Sequence, residues 1–208
     1  MADYSSLFDD PRGTREEIMQ ATYRALCEHG YADLSIQDIA DNFEKSKSLI
    51  YHHYDSKDDL LLDFLGFMLE QFEESIPSED EENVPKGDAD TADEHLDAIL
   101  DYMFTPSLED ERRDFLRAMS ELRAQAAHDD GYSEKISHHD SFLIDSLAEV
   151  IDRGIEEGVF RNVDSGEVAN FLFTAMSGSM ERRVTNQDAS VGVIRSQIDE
   201  YLQEVLYR

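Results

Sequence analysis

Apolar residues in this chain recur at the spacing of an α-helix, and this periodicity narrows the folds that are open to it. Between residues 14 and 30, for example, Ile18, Ala21, Ala25 and Leu26 fall on one helical face. No segment shows a convincing alternation of apolar and polar residues, which is the pattern of a half-buried strand. The sequence therefore predicts an all-α fold with about nine helices in two unequal parts.

Capping residues and helix breakers place the predicted helix ends. Thr14 is the predicted N-cap of the first helix and Gly30 its end, while Ser35 and Asp38 predict a capping box. Further breaks are predicted at Pro106, Gly131, Gly158 and Asn186–Gln187. The predicted helices cover residues 14–30, 36–43, 47–54, 57–76, 93–104, 108–128, 133–157, 165–184 and 189–207.

Acidic residues far outnumber basic ones, with 48 Asp and Glu against 18 Lys and Arg and a net charge of −30. This balance is typical of proteins from extreme halophiles, because molar salt shortens the Debye length to about 3 Å and screens self-repulsion. An ordinary acidic protein is the alternative. Such a net charge argues against a nucleic-acid partner. The argument is weaker for residues 1–57, which carry a net charge of only −5, whereas residues 58–208 carry −25.

Two further features bear on location. The longest apolar runs are shorter than the roughly 18 residues that span a bilayer, and the acidic N-terminus lacks the basic start of a signal peptide. We therefore expect a cytoplasmic protein with no membrane partner. The single cysteine, Cys27, excludes an intramolecular disulfide.

The segment from residue 14 to residue 57 has the spacing of a helix-turn-helix. A short helix, a tight turn and a second short helix follow a longer supporting helix, and an α-helix of this kind fits the major groove of DNA. In the last of these helices, Leu49, Ile50 and His53 are predicted to face inward.

At this point the sequence resembles the TetR family of transcriptional regulators. The matching residues are Leu34-Ser35-Ile36-x-x-Ile39-Ala40 and Ser46-Lys47-Ser48-Leu49-Ile50-Tyr51-His52-His53-Tyr54-x-Ser56-Lys57-x-x-Leu60. The family reads Tyr-x-His-Phe-x-Ser-Lys near the end of this segment. The resemblance implies a DNA-binding domain at 14–57 and a ligand-binding and dimerisation domain at 58–208. The composition predicts a flexible acidic arm at 1–13 and an acidic loop at 77–93.

The resemblance also implies which side chains contact double-stranded DNA. Lys47 and Ser48 are the expected base-edge contacts, and Gln37 is a further one. The expected phosphate contacts are Thr14, Tyr51, His53 and Lys57, and His52 is expected at either a base or the backbone. The implied DNA-binding set is Thr14, Ser35, Gln37, Ser46, Lys47, Ser48, Tyr51, His52, His53 and Lys57. For Tyr51 and His53, helix packing is the alternative.

One stretch departs from the family pattern. The family usually has Ala-Gly-Val before the serine that opens the third helix, whereas this chain has Phe43, Glu44 and Lys45. If Glu44 adopts a left-handed conformation, the cost over glycine is about 1–2 kcal/mol. The alternative is a turn of different geometry.

The C-terminal part resembles the BetI-like and AcrR-like branches, through the segment Gly154–Arg161 and the helix that follows it. In these branches the last two helices pair with their copies in a homodimer. The implied dimer interface is Phe171, Ala175, Ile194, Ile198, Tyr201 and Leu202, with plain core as the alternative.

Met and aromatic residues on the middle helices favour a mostly apolar pocket for a small-molecule effector, such as a fatty-acyl-like one. The candidate lining is Tyr102, Met103, Phe115, Met119, Leu122, Phe142 and Phe171, and ordinary core is again the alternative. No cofactor is expected.

Sequence motifs of enzymes are absent, because the chain has no Gly-x-Ser-x-Gly elbow, phosphate-binding glycine loop or His-Glu-x-x-His helix. An enzyme is therefore not expected. The resemblance implies a ligand-responsive repressor that binds a palindromic operator as a homodimer and is released by a small, mostly apolar effector. Two alternatives remain: a metal-sensing regulator, suggested by His138, His139 and Asp140, and an interaction protein that keeps the fold without binding DNA.

Overall fold

The computed structural model describes residues 11–75, 91–106, 108, 110–186 and 190–208. Over these residues the chain forms nine helices. They are α1 (Thr14–Asp33), α2 (Ile36–Asp41), α3 (Lys47–His53), α4 (Lys57–Ser75), α5 (Ala92–Met103), α6 (Asp110–Gln125), α7 (Asp130–Glu157), α8 (Ser165–Thr185) and α9 (Val191–Val205). The described part contains no β-strand beyond a single antiparallel bridge between Phe160 and Tyr207. The predicted all-α fold is confirmed.

One compact unit holds α1 to α4, α6 and the part of α7 that ends at His139. Its core is made by the inner face of α1, where Ile18 and Met19 are fully buried, and by α4, where Leu60, Phe64 and Met68 are fully buried. Helix α1 packs against α2, α4 and α6. This division in space differs from the predicted boundary between residues 57 and 58, because α4 and α6 pack against α1.

A second compact unit holds α5, the rest of α7, α8 and α9. Its core residues come from all four helices: Ala92, Leu96, Leu100, Phe104, Leu147, Val150, Ile151, Phe160, Val168, Ala169, Leu172, Met176, Ile198, Leu202 and Leu206. Phe160 is fully buried against Gly154, where an added Cβ would lie 2.1 Å from the ring. The predicted break at Gly158 is confirmed, since this residue ends α7 with a φ of 80°.

Several predicted helix ends differ from the structure by one to three residues, and three of these differences involve Thr14, Gly30 and Gly131. Gly13, rather than Thr14, is the N-cap of α1, and it makes no side-chain cap. Helix α1 breaks at Gly30 as predicted but resumes to Asp33. Gly131 lies inside α7 instead of before it, because the Asp129 carboxylate accepts hydrogen bonds from the amides of Gly131 (2.9 Å) and Tyr132 (3.2 Å) and caps that end.

Two predicted segments fall mainly outside the described residues. These are the acidic arm, of which residues 1–10 are not described, and the acidic loop, of which residues 77–90 are not described. Asp93, predicted in that loop, belongs to the first turn of α5. In the part of the chain that the structure describes, no helix is long and apolar enough to cross a bilayer.

Candidate nucleic-acid interface

Helix α2 owes its start to a side-chain cap. The Ser35 hydroxyl accepts a hydrogen bond from the Asp38 amide at 3.3 Å, and the Asp38 carboxylate accepts one from the Ser35 amide at 2.8 Å. The hydroxyl of Ser35, followed by its amide, holds the pKa of the Asp38 carboxyl below its usual value. The predicted capping box is confirmed. Since α2 has six residues, the cap and the full burial of Ile39 are what hold it in place.

The turn between α2 and α3 carries no left-handed strain at Glu44. Among the described residues, positive φ angles occur only at glycine, so the strained form of this turn does not occur. Asn42 closes α2 in the right-handed region, its side-chain amide donates to the Asp38 carbonyl at 3.2 Å, and Phe43 is buried. Of the two alternatives for Phe43, Glu44 and Lys45, the structure therefore supports a turn of different geometry over a strained one.

Helix α3 presents most of its polar residues to solvent. Ile50 is fully buried and anchors the helix, whereas Ser48, His52 and His53 are exposed and Tyr51 is 53% exposed. The prediction that His53 faces inward is wrong. The next residue, Tyr54, is buried in its place, because the chain leaves the helix there in an extended conformation.

The structure brings three of the predicted contact residues together across the helix-turn-helix. The Lys47 ammonium donates to the Gln37 side-chain carbonyl at 2.8 Å and lies 5.6 Å from the centre of the Tyr51 ring. The Gln37 amide nitrogen in turn donates to the Asp41 carboxylate at 2.7 Å. Helix α2 therefore supplies an amide and α3 supplies an ammonium to one exposed cluster.

Two other cationic residues of this region, Lys57 and Lys45, also have partners in the same unit. The Lys57 ammonium donates to the carbonyls of Tyr31 (3.2 Å) and Leu34 (3.1 Å), which closes the C-terminal end of α1. Lys45 pairs with Glu17 and donates to the Thr14 hydroxyl at 3.3 Å. The phosphate contacts expected of Thr14 and Lys57 stay predictions.

A partly exposed polar network at the end of α3 was missed by the sequence reasoning. The Asp63 carboxylate on α4 accepts from Arg15 Nε (3.0 Å) and Nη2 (2.7 Å) on α1, and from the Tyr54 hydroxyl at 2.7 Å. The one available signal was Tyr54 itself, since the family pattern has phenylalanine at this position.

The network shifts the titration of its members. Burial raises the pKa of Asp63, but the hydrogen bonds from Arg15 and Tyr54 outweigh it and leave that pKa lowered. Burial and the neighbouring Asp63 carboxylate both raise the pKa of the Tyr54 hydroxyl. The hydrogen bond to Asp63 raises the pKa of Arg15. The network is therefore an ionic one, with Asp63 as its acceptor.

The predicted dimer residues divide into two groups in the second unit. Ile198 and Leu202 are 2% and 0% exposed within one chain, so they belong to its own core and leave no surface for a partner. The expectation that these two form the interface is therefore corrected. Phe171, Ala175, Ile194 and Tyr201 keep exposed or half-buried surface, and the ring centres of Phe171 and Tyr201 lie 4.4 Å apart.

The predicted pocket residues do not all lie in one unit. Phe115, Met119 and Leu122 are on α6 in the first unit, whereas Tyr102, Met103, Phe142 and Phe171 are in the second. The second unit has an open groove of about 700 Å³, and Phe171 is the one predicted pocket residue that lines it. Its lining is Ile144, Asp164, Gly166, Glu167, Asn170, Phe171 and Thr174.

The structure gives no metal site to the histidines proposed for a metal sensor, within the residues that it describes. Within the described residues, no three His, Cys, Asp or Glu side chains come together as metal ligands would. His139 is buried, and its Nδ1 lies 2.8 Å from the Glu73 carboxylate on α4, an ordinary hydrogen-bonding distance.

Comparison with known proteins finds two family models of transcriptional regulators that match this chain. Residues 18–64 match the family model of bacterial regulatory proteins of the tetR family, and residues 92–207 match that of the BetI-type transcriptional repressor C-terminal region. The chain is 25% identical over 178 residues to the HTH-type transcriptional repressor AcnR of Corynebacterium glutamicum, covering 85% of each protein.

Solved structures of transcriptional regulators also resemble this chain. A TetR transcription regulator from Haloarcula marismortui has 38% identity and a TM-score of 0.78, over 92% of this chain and 97% of that one. A transcriptional regulator from Saccharomonospora viridis in complex with choline has 21% identity and a TM-score of 0.71, over 93% and 97%, and shows the shared fold.

These matches cover most of the chain, and the prediction that it is not an enzyme is confirmed by the class of protein that they define. The chain belongs to the TetR family of transcriptional regulators, with a helix-turn-helix N-terminal region and a BetI-type C-terminal region.

Proposed function

We propose that this protein is a transcriptional repressor that binds a palindromic DNA operator as a homodimer and is released by a small, mostly apolar effector. The observation that carries the proposal is the exposed cluster of Gln37, Lys47 and Tyr51 on α2 and α3. A major groove about 12 Å wide admits a helix such as α3, and side chains at its start reach base edges.

The cluster suits base and phosphate contacts at once. Lys47 and Ser48, at the start of α3, are placed to donate to base acceptors such as guanine O6 and N7, and Gln37 offers an amide from α2. Tyr51 and His53 are exposed on the same short helix and suit phosphates. His52, Ser35 and Ser46 complete the proposed set, together with Thr14 and Lys57.

The patch formed by Phe171, Ala175, Ile194 and Tyr201 is the proposed dimer surface. Phe171 is 44% exposed and its ring lies against that of Tyr201, so α8 and α9 present a shared apolar surface in a single chain. Exposed apolar patches of this kind mark interfaces. A two-fold dimer also supplies the two recognition helices that a palindromic operator requires.

The proposed effector is mostly apolar and of the fatty-acyl, aromatic or drug-like class. The support is the Met and aromatic content of the candidate lining, which suits an adaptable pocket. An effector releases DNA only when it binds the DNA-free state more tightly than the DNA-bound state.

We also infer that the protein works at high salt. The net charge of −30 and the 38% identity to a regulator from Haloarcula marismortui support this setting. Counterion release then contributes little to affinity, which must come mostly from direct base contacts, helix-end amides, apolar contacts and water release.

Selection of genomic DNA fragments by the purified protein, in about 2–3 M KCl, tests the proposal. We expect a palindrome to be enriched by the wild type and lost with Lys47→Ala. Arg117→Ala is the matched control, since it removes one exposed cation on α6, outside the helix-turn-helix, and should leave enrichment intact. A well-folded dimer that enriches no sequence would overturn the proposal in favour of an interaction protein.

A further inference from the structure

We propose that the Tyr54 hydroxyl is a positioning group for operator recognition: by donating to Asp63 it fixes α3 on α4, and so sets the ratio of specific to non-specific DNA affinity. The inference rests on the proposed function, because it requires α3 to be the helix that reads DNA.

Helix α3 is too short to hold its own orientation. It has seven residues, fewer than two full turns, and its N-cap Ser46 makes no side-chain cap. Its placement therefore depends on the burial of Ile50 and on the contacts of its two ends.

The two ends have different polar contacts. Near the start, Lys47 donates to Gln37 on α2, and just after the end, Tyr54 donates to Asp63 on α4. When Lys47 turns to a base, it gives up its bond to Gln37. The contact of Tyr54 involves no group proposed to touch DNA, so it persists in the bound state.

Asp63 is well suited to be the fixed point of this contact. Arg15 holds its two oxygens in a fork from the first turn of α1, and the Arg15 guanidinium also lies 5.7 Å from the centre of the Phe67 ring on α4. A carboxylate held in this way accepts a strong, directional third hydrogen bond. Tyr54 thus links the end of α3 to a point shared by α1 and α4.

The contribution of this link can be separated from that of the ring. The Tyr54 ring is buried, and its hydroxyl makes the hydrogen bond to Asp63. Tyr54→Phe therefore removes one hydrogen bond and keeps the buried ring.

The experiment compares full-length wild type and Tyr54→Phe, binding the selected operator fragment and a scrambled duplex of equal length at the same KCl concentration. Loss of the bond lets α3 sample orientations that do not fit the operator, which lowers the fraction of competent protein. We expect operator affinity to fall about 5-fold or more, and affinity for the scrambled duplex to stay within about 2-fold.

The second unit offers a matched control, because the Tyr207 hydroxyl donates to Asp97 at 3.2 Å. Tyr207→Phe removes a bond of the same chemistry and should leave both affinities unchanged. A Tyr54→Phe protein with a lower unfolding temperature but an unchanged affinity ratio would overturn the inference, since that outcome shows a purely structural role.

The remaining outcomes are also decisive. Wild type without operator preference would refute the proposed function itself, whereas a specific wild type beside an equally specific Tyr54→Phe refutes the inference alone. If Tyr54→Phe does not fold, Asp63→Ala, which removes the acceptor of the Tyr54 hydroxyl, should show a loss of the same ratio. An unchanged ratio in that variant would overturn the inference.

Discussion

At the scale of single residues, Gly30 has the most demanding backbone conformation among the described residues of the first unit. Its φ of 71° and ψ of 162° fall in a region that is essentially reserved for glycine. The break that it makes in α1 frees the amide of Tyr31, which donates to the Glu121 carboxylate on α6 at 2.5 Å. One glycine thus lets α1 be joined to α6.

Gly30→Ala is expected to lower the free energy of unfolding by about 1–3 kcal/mol, because alanine adopts this conformation only under strain. The added Cβ would also lie 3.4 Å from a Glu121 oxygen. Chemical denaturation of the variant in high KCl measures the effect. Gly178→Ala is the control: it lies within α8 with nothing within 4 Å of the added Cβ, and should stabilise by roughly 0.5–1 kcal/mol. Equal stability of the two variants would contradict the argument.

At the scale of elements, the short helices α2 and α3 depend on contacts beyond themselves. Helix α2 has its capping box, whereas the end of α3 relies on the network of Arg15, Tyr54 and Asp63. Since Asp63 must be ionised to pair with Arg15, the junction of α1, α3 and α4 depends on pH.

The sign of this dependence follows from the lowered pKa of Asp63. A group whose pKa is lower in the folded state stabilises the fold above its unfolded value of about 3.9, and this contribution is lost as pH falls through the folded value. We therefore expect wild type to be more stable than Asp63→Asn at neutral pH, with the difference shrinking as the pH falls below about 4. Unfolding midpoints measured across that range test this.

Asp145→Asn is the control for this measurement, since it removes one exposed acid on α7. A stability difference between wild type and Asp63→Asn that stays constant down to low pH would show that the ionised form of Asp63 is not what holds the junction.

At the scale of the whole molecule, the excess of acidic residues is expected to weaken the electrostatic attraction between the protein and DNA. The net charge is −30, and lysines of the helix-turn-helix such as Lys45 and Lys47 already have partners within the chain. Phosphate attraction is therefore weak, and cations that bridge acids to phosphates are the proposed compensation.

We expect operator affinity to fall less steeply with salt than for a basic repressor, for which log K falls by about 0.9 per neutralised phosphate for each unit of log salt. Titrations between roughly 0.5 and 3 M KCl give the slope, and Lys47→Ala should flatten it further by about one phosphate contact at most. A steep negative slope for the wild type would refute the idea of bridging cations.

Local features of the sequence were enough to predict the helices and the protein family. The periodicity, the capping box of Ser35 and the motif from Ser46 to Lys57 involve neighbours in the chain, so they can be read without knowing the fold. For the same reason Gly30 and Gly158 were recognised as breaks.

Tertiary packing alone decided the features that join distant residues. Arg15 and Asp63 are 48 residues apart, and the apolar stripe of α9 did not reveal that Ile198 and Leu202 face the core of their own chain. Helical spacing tells which residues share a face, but the neighbouring element determines what that face contacts. The sequence by itself thus determined a helical TetR-type regulator, and only the fold decided how α3 is held.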